Sequence, residues 1–142
     1  MILETIYRGM GFNRALLLIR DNRQNAMLAR CGFGPGIETL IPEFCFSLDY
    51  VPDVFHVAVA KGVDIAIEDT RAANIVDKIP SWYHGRVGAP CFLLLPAMVK
   101  ERAICMFYAD MGNPGGLRTS PPQLALLRTL RNQAVLAIKQ KM

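Results

Sequence analysis

The sequence has 142 residues, of which 52% are apolar and 20% are charged. A chain of this length can bury roughly 68–70% of the surface that its unfolded form exposes, so it needs no disulfide or metal to hold a core. This composition excludes disordered and collagen-like proteins. We therefore expect one globular domain that spans residues 1–142.

Neither a membrane helix nor a secretion signal is predicted. The longest apolar stretch, Ala89 to Val99, contains two prolines and falls short of the 18 or so residues that a membrane helix requires. Glu4 and Arg8 interrupt the apolar residues of the N-terminus, which is not typical of a signal peptide. We expect a cytoplasmic protein with no membrane partner and with reduced cysteines.

The net charge of +4 is concentrated near the C-terminus, because no acidic residue follows Asp110. The bases that follow it are Arg118, Arg128, Arg131, Lys139 and Lys141. Single-stranded nucleic acids are bound by bases interleaved with aromatic side chains, and this segment has no aromatic residue. The pattern therefore favours a solvated basic helix face and disfavours a nucleic-acid partner.

The first part of the chain predicts a helix and a β-hairpin. Ile2 to Tyr7 has helical spacing and begins at the start of the chain, so we expect a domain cut from a longer protein. Two apolar runs, Phe12 to Arg20 and Ala26 to Cys31, flank an Asp-Asn turn signal. This arrangement is typical of two antiparallel strands.

The middle of the chain predicts a second helix, a strand and a long excursion. Pro52 to Lys61 has proline and aspartate at its start and glycine after its end, which is the asymmetry of a helix. Val63 to Glu68 alternates apolar and acidic residues like a half-buried strand. Asp69 to Gly88 has no clean period, and we expect a long loop with one short helical turn.

A second hairpin is predicted from Cys91 to Val99 and from Ala103 to Ala109, around a charged tip. A turn centred on Lys100 and Glu101 pairs Cys91 near Asp110 and places Cys105 opposite Pro96. The two cysteines are therefore not expected to form a disulfide.

A long C-terminal helix is predicted to start at a capping box formed by Ser120 and Gln123 and to run to near Met142. Its core stripe is expected to comprise Leu126, Leu127, Leu130, Ala134, Ala137 and Ile138. Leu124, Val135 and Leu136 lie outside this stripe. They favour a helix–helix interface.

This order of elements is typical of an α+β fold with an antiparallel sheet. Several segments resemble a GAF domain, namely Ile65 to Asp69, Leu93 to Pro96, Lys100 to Arg102, Ile104 to Asp110 and Asn132 to Ile138. Three further segments resemble the GAF-like region that follows an HDOD domain in bacterial signalling proteins, namely Asp53 to Phe55, Pro80 to Tyr83 and Leu127 to Gln133.

The resemblance implies a GAF/PAS-like central antiparallel sheet, with terminal helices on one face and the excursion on the other. It also implies a non-catalytic sensory domain with a small-molecule pocket, a homodimer interface from the terminal helices, and contacts with other domains of a parent protein. GAF hairpins usually carry glycine where this chain has Glu101 and Cys105, and the cyclic-nucleotide signature is missing. Nothing in the sequence identifies a ligand or cofactor.

The excursion returns to the sheet at Cys91, so its aromatic residues are expected to fold over the sheet and cover an apolar cavity. The candidate ligand-binding residues are Trp82, Tyr83 and His84 of the excursion, their neighbours Phe46, Tyr50 and Phe55, and the polar residues Asp69 and Tyr108.

Two alternatives remain open. A purely structural dimerisation module would have its pocket filled by side chains such as Phe46, Phe55, Trp82 and Phe92. A thiol-dependent reductase would resemble the free methionine sulfoxide reductases, although their glycine-flanked cysteine loop is not recognisable. We expect the cysteines to be buried apolar side chains, and the two histidines lack the further ligands of a metal site.

Overall fold

The computed structural model describes residues 2–113, 116–117 and 121–141. The helices are α1 (Ile2–Gly9), α2 (Ile37–Leu40), α3 (Val54–Lys61), α4 (Ser81–Arg86) and α5 (Pro121–Lys141). The strands are β1 (Arg14–Asp21), β2 (Ala26–Phe33), β3 (Cys45–Ser47), β4 (Ile65–Ile67), β5 (Cys91–Val99) and β6 (Arg102–Met111). Two 3-10 turns lie at Ile41–Glu43 and Val76–Lys78.

The strands form one six-stranded sheet in the order β3-β2-β1-β6-β5-β4. All neighbouring strands of this sheet are antiparallel. The two long hairpins therefore lie side by side, joined by the β1–β6 pair, and two short strands form the edges. This arrangement confirms the predicted α+β fold.

The β5–β6 hairpin turns on two residues, Lys100 and Glu101, which both have positive φ angles (51° and 65°). This is the left-handed geometry of a tight hairpin turn, in which glycine or asparagine is usual. Near the turn the pairing agrees with the sequence prediction, but a bulge between Ala97 and Met98 shifts the rest by one residue. Cys91 therefore lies opposite Met111 instead of Asp110, and Cys105 lies opposite Ala97 instead of Pro96.

One face of the sheet is covered by the two terminal helices. Leu3 and Ile6 of α1 and Leu127 of α5 are buried against alternate side chains of the central strands, such as Leu93 and Phe107. Leu130 and Ala134 extend this contact along α5. The placement of the terminal helices on one face is as predicted.

The opposite face is covered by α2, α3 and α4. Asp53 caps α3 by accepting a hydrogen bond from the backbone N–H of His56, and Gly62 ends the helix in the left-handed conformation. Phe55 and Ala58 of α3 and Tyr83 of α4 are fully buried against this face. The predicted excursion thus contains a helix of six residues together with a 3-10 turn.

The surface of α5 differs from the predicted stripe. Leu126, predicted to be core, is 50% exposed, and Ala137 is also exposed. Arg131 instead turns inward, because its Nη1 donates to Asp64 Oδ1 at 2.6 Å and to the carbonyl oxygen of Pro96 at 3.0 Å. The side of α5 that faces the sheet therefore includes Arg131, which the apolar pattern did not predict. Ser120, the predicted cap, lies outside the described residues.

Candidate functional site

A cluster of aromatic rings fills the space between the sheet and the helices α3 and α4. The ring centroid of Phe55 lies 5.1–6.1 Å from those of five other rings. These belong to Phe44, Phe46, Trp82, Tyr83 and Phe92. Tyr108 of β6 completes the aromatic cluster, with its centroid 4.7 Å from that of Phe44 and 5.8 Å from that of Phe92.

A chain of buried polar groups runs through the base of this cluster. The hydroxyls of Tyr83 and Tyr108 are hydrogen-bonded at 2.8 Å, and the Tyr108 hydroxyl donates to Asp110 Oδ2 at 2.6 Å. Arg14 of β1 reaches the same oxygen, from Nη2 at 2.7 Å and from Nε at 2.9 Å. Asp110 and Arg14 pair because β1 and β6 are neighbours that place these two residues opposite each other.

Burial is the main influence on the pKa values of the buried polar groups in this network. It raises the pKa of Asp110, and the hydrogen bonds from Arg14 and Tyr108 offset this rise only in part. It also raises the pKa of both tyrosine hydroxyls, which therefore remain protonated and can donate hydrogen bonds. Asp110 Oδ1 is buried without a hydrogen-bond partner among the described residues. The network is thus a structural link between the two hairpins and α4.

The candidate residues from the sequence occupy different environments. Phe55, Tyr83 and Tyr108 are at most 1% exposed and are packed inside the aromatic cluster. Phe46 and Trp82 contribute to the same cluster but also line an open groove. The structure thus brings these five residues together, with side chains in place of the expected cavity at their centre.

The other three candidates lie apart from this group. Tyr50 is 57% exposed and follows β3, with its ring 6.2 Å from that of His56. Asp69 caps a turn by accepting a hydrogen bond from the backbone N–H of Arg71, beyond the end of β4. His84 Nε2 is buried and has no hydrogen-bond partner within the described part of the chain. These residues do not converge on a single site.

The groove beside Trp82 lies between β3 and α4 and has a volume of about 500 Å³. Its walls include Phe46 and Trp82, whose rings are stacked with centroids 6.1 Å apart. Asp53, His56 and Arg86 contribute polar groups to its lining. An apolar surface with a few polar groups is the usual composition of a small-molecule site.

His56 is held by acceptors on both sides of its ring. Its Nδ1 lies 2.9 Å from Asp53 Oδ1, and its Nε2 lies 2.7 Å from the carbonyl oxygen of Ser47. Both partners are hydrogen-bond acceptors, so the ring is held in place from its two nitrogen atoms. His56 thus fastens the start of α3 to the end of β3, and its lone position in the sequence gave no sign of this role.

All four cysteines are unpaired. Burial raises the pKa of Cys105 to about 11 and also raises the pKa of Cys91 and Cys31. Cys91 Sγ donates a hydrogen bond to the carbonyl oxygen of Asn113 at 3.3 Å. A thiol that stays protonated at neutral pH is a poor nucleophile, so this environment fits a packing role.

Sequence reasoning did not single out Arg14, Asp110 or Phe44. Arg14 and Asp110 each lie near the end of an otherwise apolar strand, and a charge in that position is the sequence feature that could have pointed to them. Phe44, which is fully buried, precedes a three-residue strand that the sequence did not predict.

No three His, Cys, Asp or Glu side chains in the described ranges are grouped to hold a metal ion. None of the described helices is long and apolar enough to span a membrane.

No protein-family model matches the sequence, and no curated protein matches it. Solved structures do match. The GAF domain/HD domain protein from Geobacter sulfurreducens is 15% identical, with a TM-score of 0.77 over 97% of this chain and 87% of that chain. The GAF domain from Acinetobacter phosphoenolpyruvate-protein phosphotransferase is 15% identical, with a TM-score of 0.76 over 98% of this chain and 78% of that chain.

A third similar structure is an enzyme, the free methionine-R-sulfoxide reductase from Neisseria meningitidis in complex with its substrate. It is 15% identical, with a TM-score of 0.70 over 99% of this chain and 77% of that chain. At such identities the likeness concerns the fold alone. The six-stranded antiparallel sheet with helices on both faces is therefore a GAF fold.

Proposed function

We propose that the chain is a non-catalytic regulatory domain of a bacterial signalling protein, of the GAF-like kind that follows an HDOD domain, and that it acts as a homodimer. The observation that carries this proposal is the exposed surface of α5. Leu126 and Leu136 are 50% and 59% exposed on a helix that is already packed against the sheet through Leu127. Leucines that stay exposed on a helix whose other face packs on the sheet favour a partner surface.

The terminal helices suit the role of a connection to other domains. α1 and α5 share one apolar cluster on the sheet. Because that cluster is closely packed, a displacement of one helix should shift the other. Arg128 and Arg131 of α5 both bond to Asp64, which lies between α3 and β4. The ion pairs link α5 to the helix that carries His56, and hence to the groove side of the sheet.

We expect wild-type protein to sediment as a dimer at micromolar concentration and Leu136→Glu to raise the dimer dissociation constant by about a hundredfold. A symmetric interface would bury the new charge twice, without a partner. Leu136 is a better test than Val135, because Val135 is half-buried beside Pro96 and Met98.

The matched control is Val51→Glu, since Val51 is 52% exposed but lies on the groove side of the sheet. This variant should dimerise like wild type. Wild-type protein that is monomeric at micromolar concentration would contradict the dimer, as would a Val51→Glu variant that dissociates as much as Leu136→Glu.

The proposed small-molecule site is the groove beside Trp82. The interior of the aromatic cluster is occupied by Phe55, Tyr83 and Tyr108, whereas the groove is open and lined by Phe46 and Trp82. Its volume falls within the roughly 300–1,000 Å³ of ligand pockets. The filled interior is also what the purely structural dimerisation module requires, and ligand binding in the groove separates the two readings.

Native mass spectrometry of protein purified from its own host is expected to reveal a bound small molecule. Adding that compound to ligand-free protein should shift the fluorescence of Trp82, the only tryptophan. Trp82→Ala should weaken binding by about tenfold or more, because it removes the stacking surface. Trp82→Phe keeps an aromatic ring against Phe46 and should retain most of the affinity. Absence of any co-purified compound would favour the structural module.

The reductase reading has less support from the geometry. A nucleophilic or redox-active thiol requires a lowered pKa and access to solvent, whereas burial raises the pKa of Cys91 and Cys105. Cys91 and Cys105 are also separated along the sheet, since they pair with Met111 and Ala97 respectively. These features support the proposal of a non-catalytic domain.

A further inference from the structure

A second cavity, whose lining shares only His56 with that of the groove beside Trp82, lies where the tips of the two hairpins meet α3. It has a volume of about 310 Å³. Arg20 and Arg102 line it, together with Tyr50 and His56. The β1–β2 hairpin supplies Arg20, and the β5–β6 hairpin supplies Arg102, so the cavity exists only because β1 and β6 are neighbours.

Neither arginine is neutralised. Arg20 Nε donates to the carbonyl oxygen of Ala103 at 2.8 Å, and Arg102 Nη2 donates to Asn22 Oδ1 at 3.0 Å. Neither forms an ion pair with a carboxylate among the described residues. Each guanidinium therefore keeps free N–H donors beside the cavity.

The two charges also act on each other. Burial, and after it the charge of Arg102, lowers the pKa of Arg20 below its ordinary value. Other arginines of the sheet do not share this situation, since Arg14 and Arg30 are paired with Asp110 and Asp21. An anion between Arg20 and Arg102 would relieve their repulsion and satisfy their free donors.

The remaining lining residues suggest what else the ligand carries. Tyr50 presents a ring that is 57% exposed, and Leu48 and Val59 provide apolar surface. The cavity is larger than a single small anion needs. Glu101 lies at the tip of its hairpin, is exposed, and is the one carboxylate among the lining residues.

We propose that this cavity binds a small oxyanion, such as the phosphate group of a metabolite with a flat apolar body, between Arg20 and Arg102 and against Tyr50. The Arg20–Arg102 site does not depend on dimerisation or on the groove beside Trp82. Its placement explains why Tyr50, a residue that sequence reasoning assigned to a ligand, lies apart from the aromatic cluster. Because Arg20 also bonds to Ala103 at the start of β6, ligand binding would tighten the contact between the hairpin tips.

The test is a titration of the full chain with inorganic phosphate and with phenyl phosphate, followed by 1H–15N NMR at low ionic strength. Both are expected to give saturable shifts of the amides of Asn25, Tyr50 and Ala103, and phenyl phosphate should bind more tightly. Phenol, which has the ring without the oxyanion, should give no such shifts. Added salt should weaken binding of both phosphates.

Arg102→Gln is expected to weaken phosphate binding by about tenfold, as the loss of one charge-assisted interaction predicts. Arg20→Gln should have at least the same effect, and Arg102 is exposed enough that its variant should fold normally. The matched control is Arg23→Gln in the turn of the β1–β2 hairpin that also carries Arg20, because it removes the same charge from an exposed residue that does not line the cavity.

Two results would overturn the proposal. One is the absence of saturable shifts at the lining residues with either phosphate. The other is an Arg23→Gln variant that loses as much affinity as Arg102→Gln, because binding would then follow net charge instead of the cavity. Neither outcome bears on dimerisation, so the proposed regulatory role is tested separately.

Discussion

Replacing Arg14 with methionine is expected to lower the free energy of unfolding by about 3–5 kcal/mol, the usual cost of leaving a buried charge without its partner. The Asp110 side chain is fully buried, and Arg14 is its cationic partner at 2.7 Å. Methionine fills much of the same volume but donates no hydrogen bond. Urea denaturation followed by the fluorescence of Trp82 measures the loss.

This loss is expected to grow with pH. Burial already raises the pKa of Asp110 above its ordinary value of 3.8, and removal of Arg14 raises it further. A carboxyl group with a raised pKa in the folded state stabilises the fold fully below its unfolded pKa. That contribution is lost as pH rises through the folded pKa. The deficit of Arg14→Met should therefore be smaller at pH 5 than at pH 8.

The double variant Arg14→Met/Asp110→Asn provides the control. Asparagine removes the buried charge and can still accept the hydrogen bond from Tyr108, so the double variant should be more stable than Arg14→Met alone at pH 8. A double variant that is less stable than the single one would show that the charge of Asp110 is not the source of the cost.

Local sequence signals predicted the long hairpins, α3 and α5, because each is defined by turn residues, caps or periodicity within a few positions. They did not predict β3, which is three residues long and follows Pro42. This strand forms because β2 offers an unpaired edge to it, as the Leu28–Cys45 pairing shows. Edge strands of this length depend on their neighbour more than on their own propensity.

The same distinction explains the candidate site. Phe46, Trp82 and Tyr83 were correctly expected to meet on one sheet face, since the excursion must return to the sheet. The pairing of Arg14 with Asp110 required knowledge that β1 lies beside β6, which no local pattern contains. Arg20 and Arg102 of the second cavity also come together because β1 lies beside β6. No local sequence pattern could therefore predict their site.

Replacing Phe55 with alanine is expected to lower the free energy of unfolding by about 3–5 kcal/mol, as for other buried aromatic residues. Phe55 is fully buried, and its ring packs at 5.1 Å from Trp82 and 5.4 Å from Phe92. Tyr50→Ala serves as the matched control, because Tyr50 is 57% exposed, and its loss should cost about 1 kcal/mol or less.

The variant also tests whether side chains truly occupy the interior of the aromatic cluster. Removal of the Phe55 ring should leave an apolar cavity beside Phe44 and Phe92, and such cavities bind benzene. We expect benzene to stabilise Phe55→Ala and to leave wild-type protein unchanged, as measured by thermal unfolding. If wild-type protein were stabilised as strongly as the variant, the interior would already have room for a ligand. The small-molecule site would then belong beneath Trp82, inside the cluster, instead of in the groove beside it.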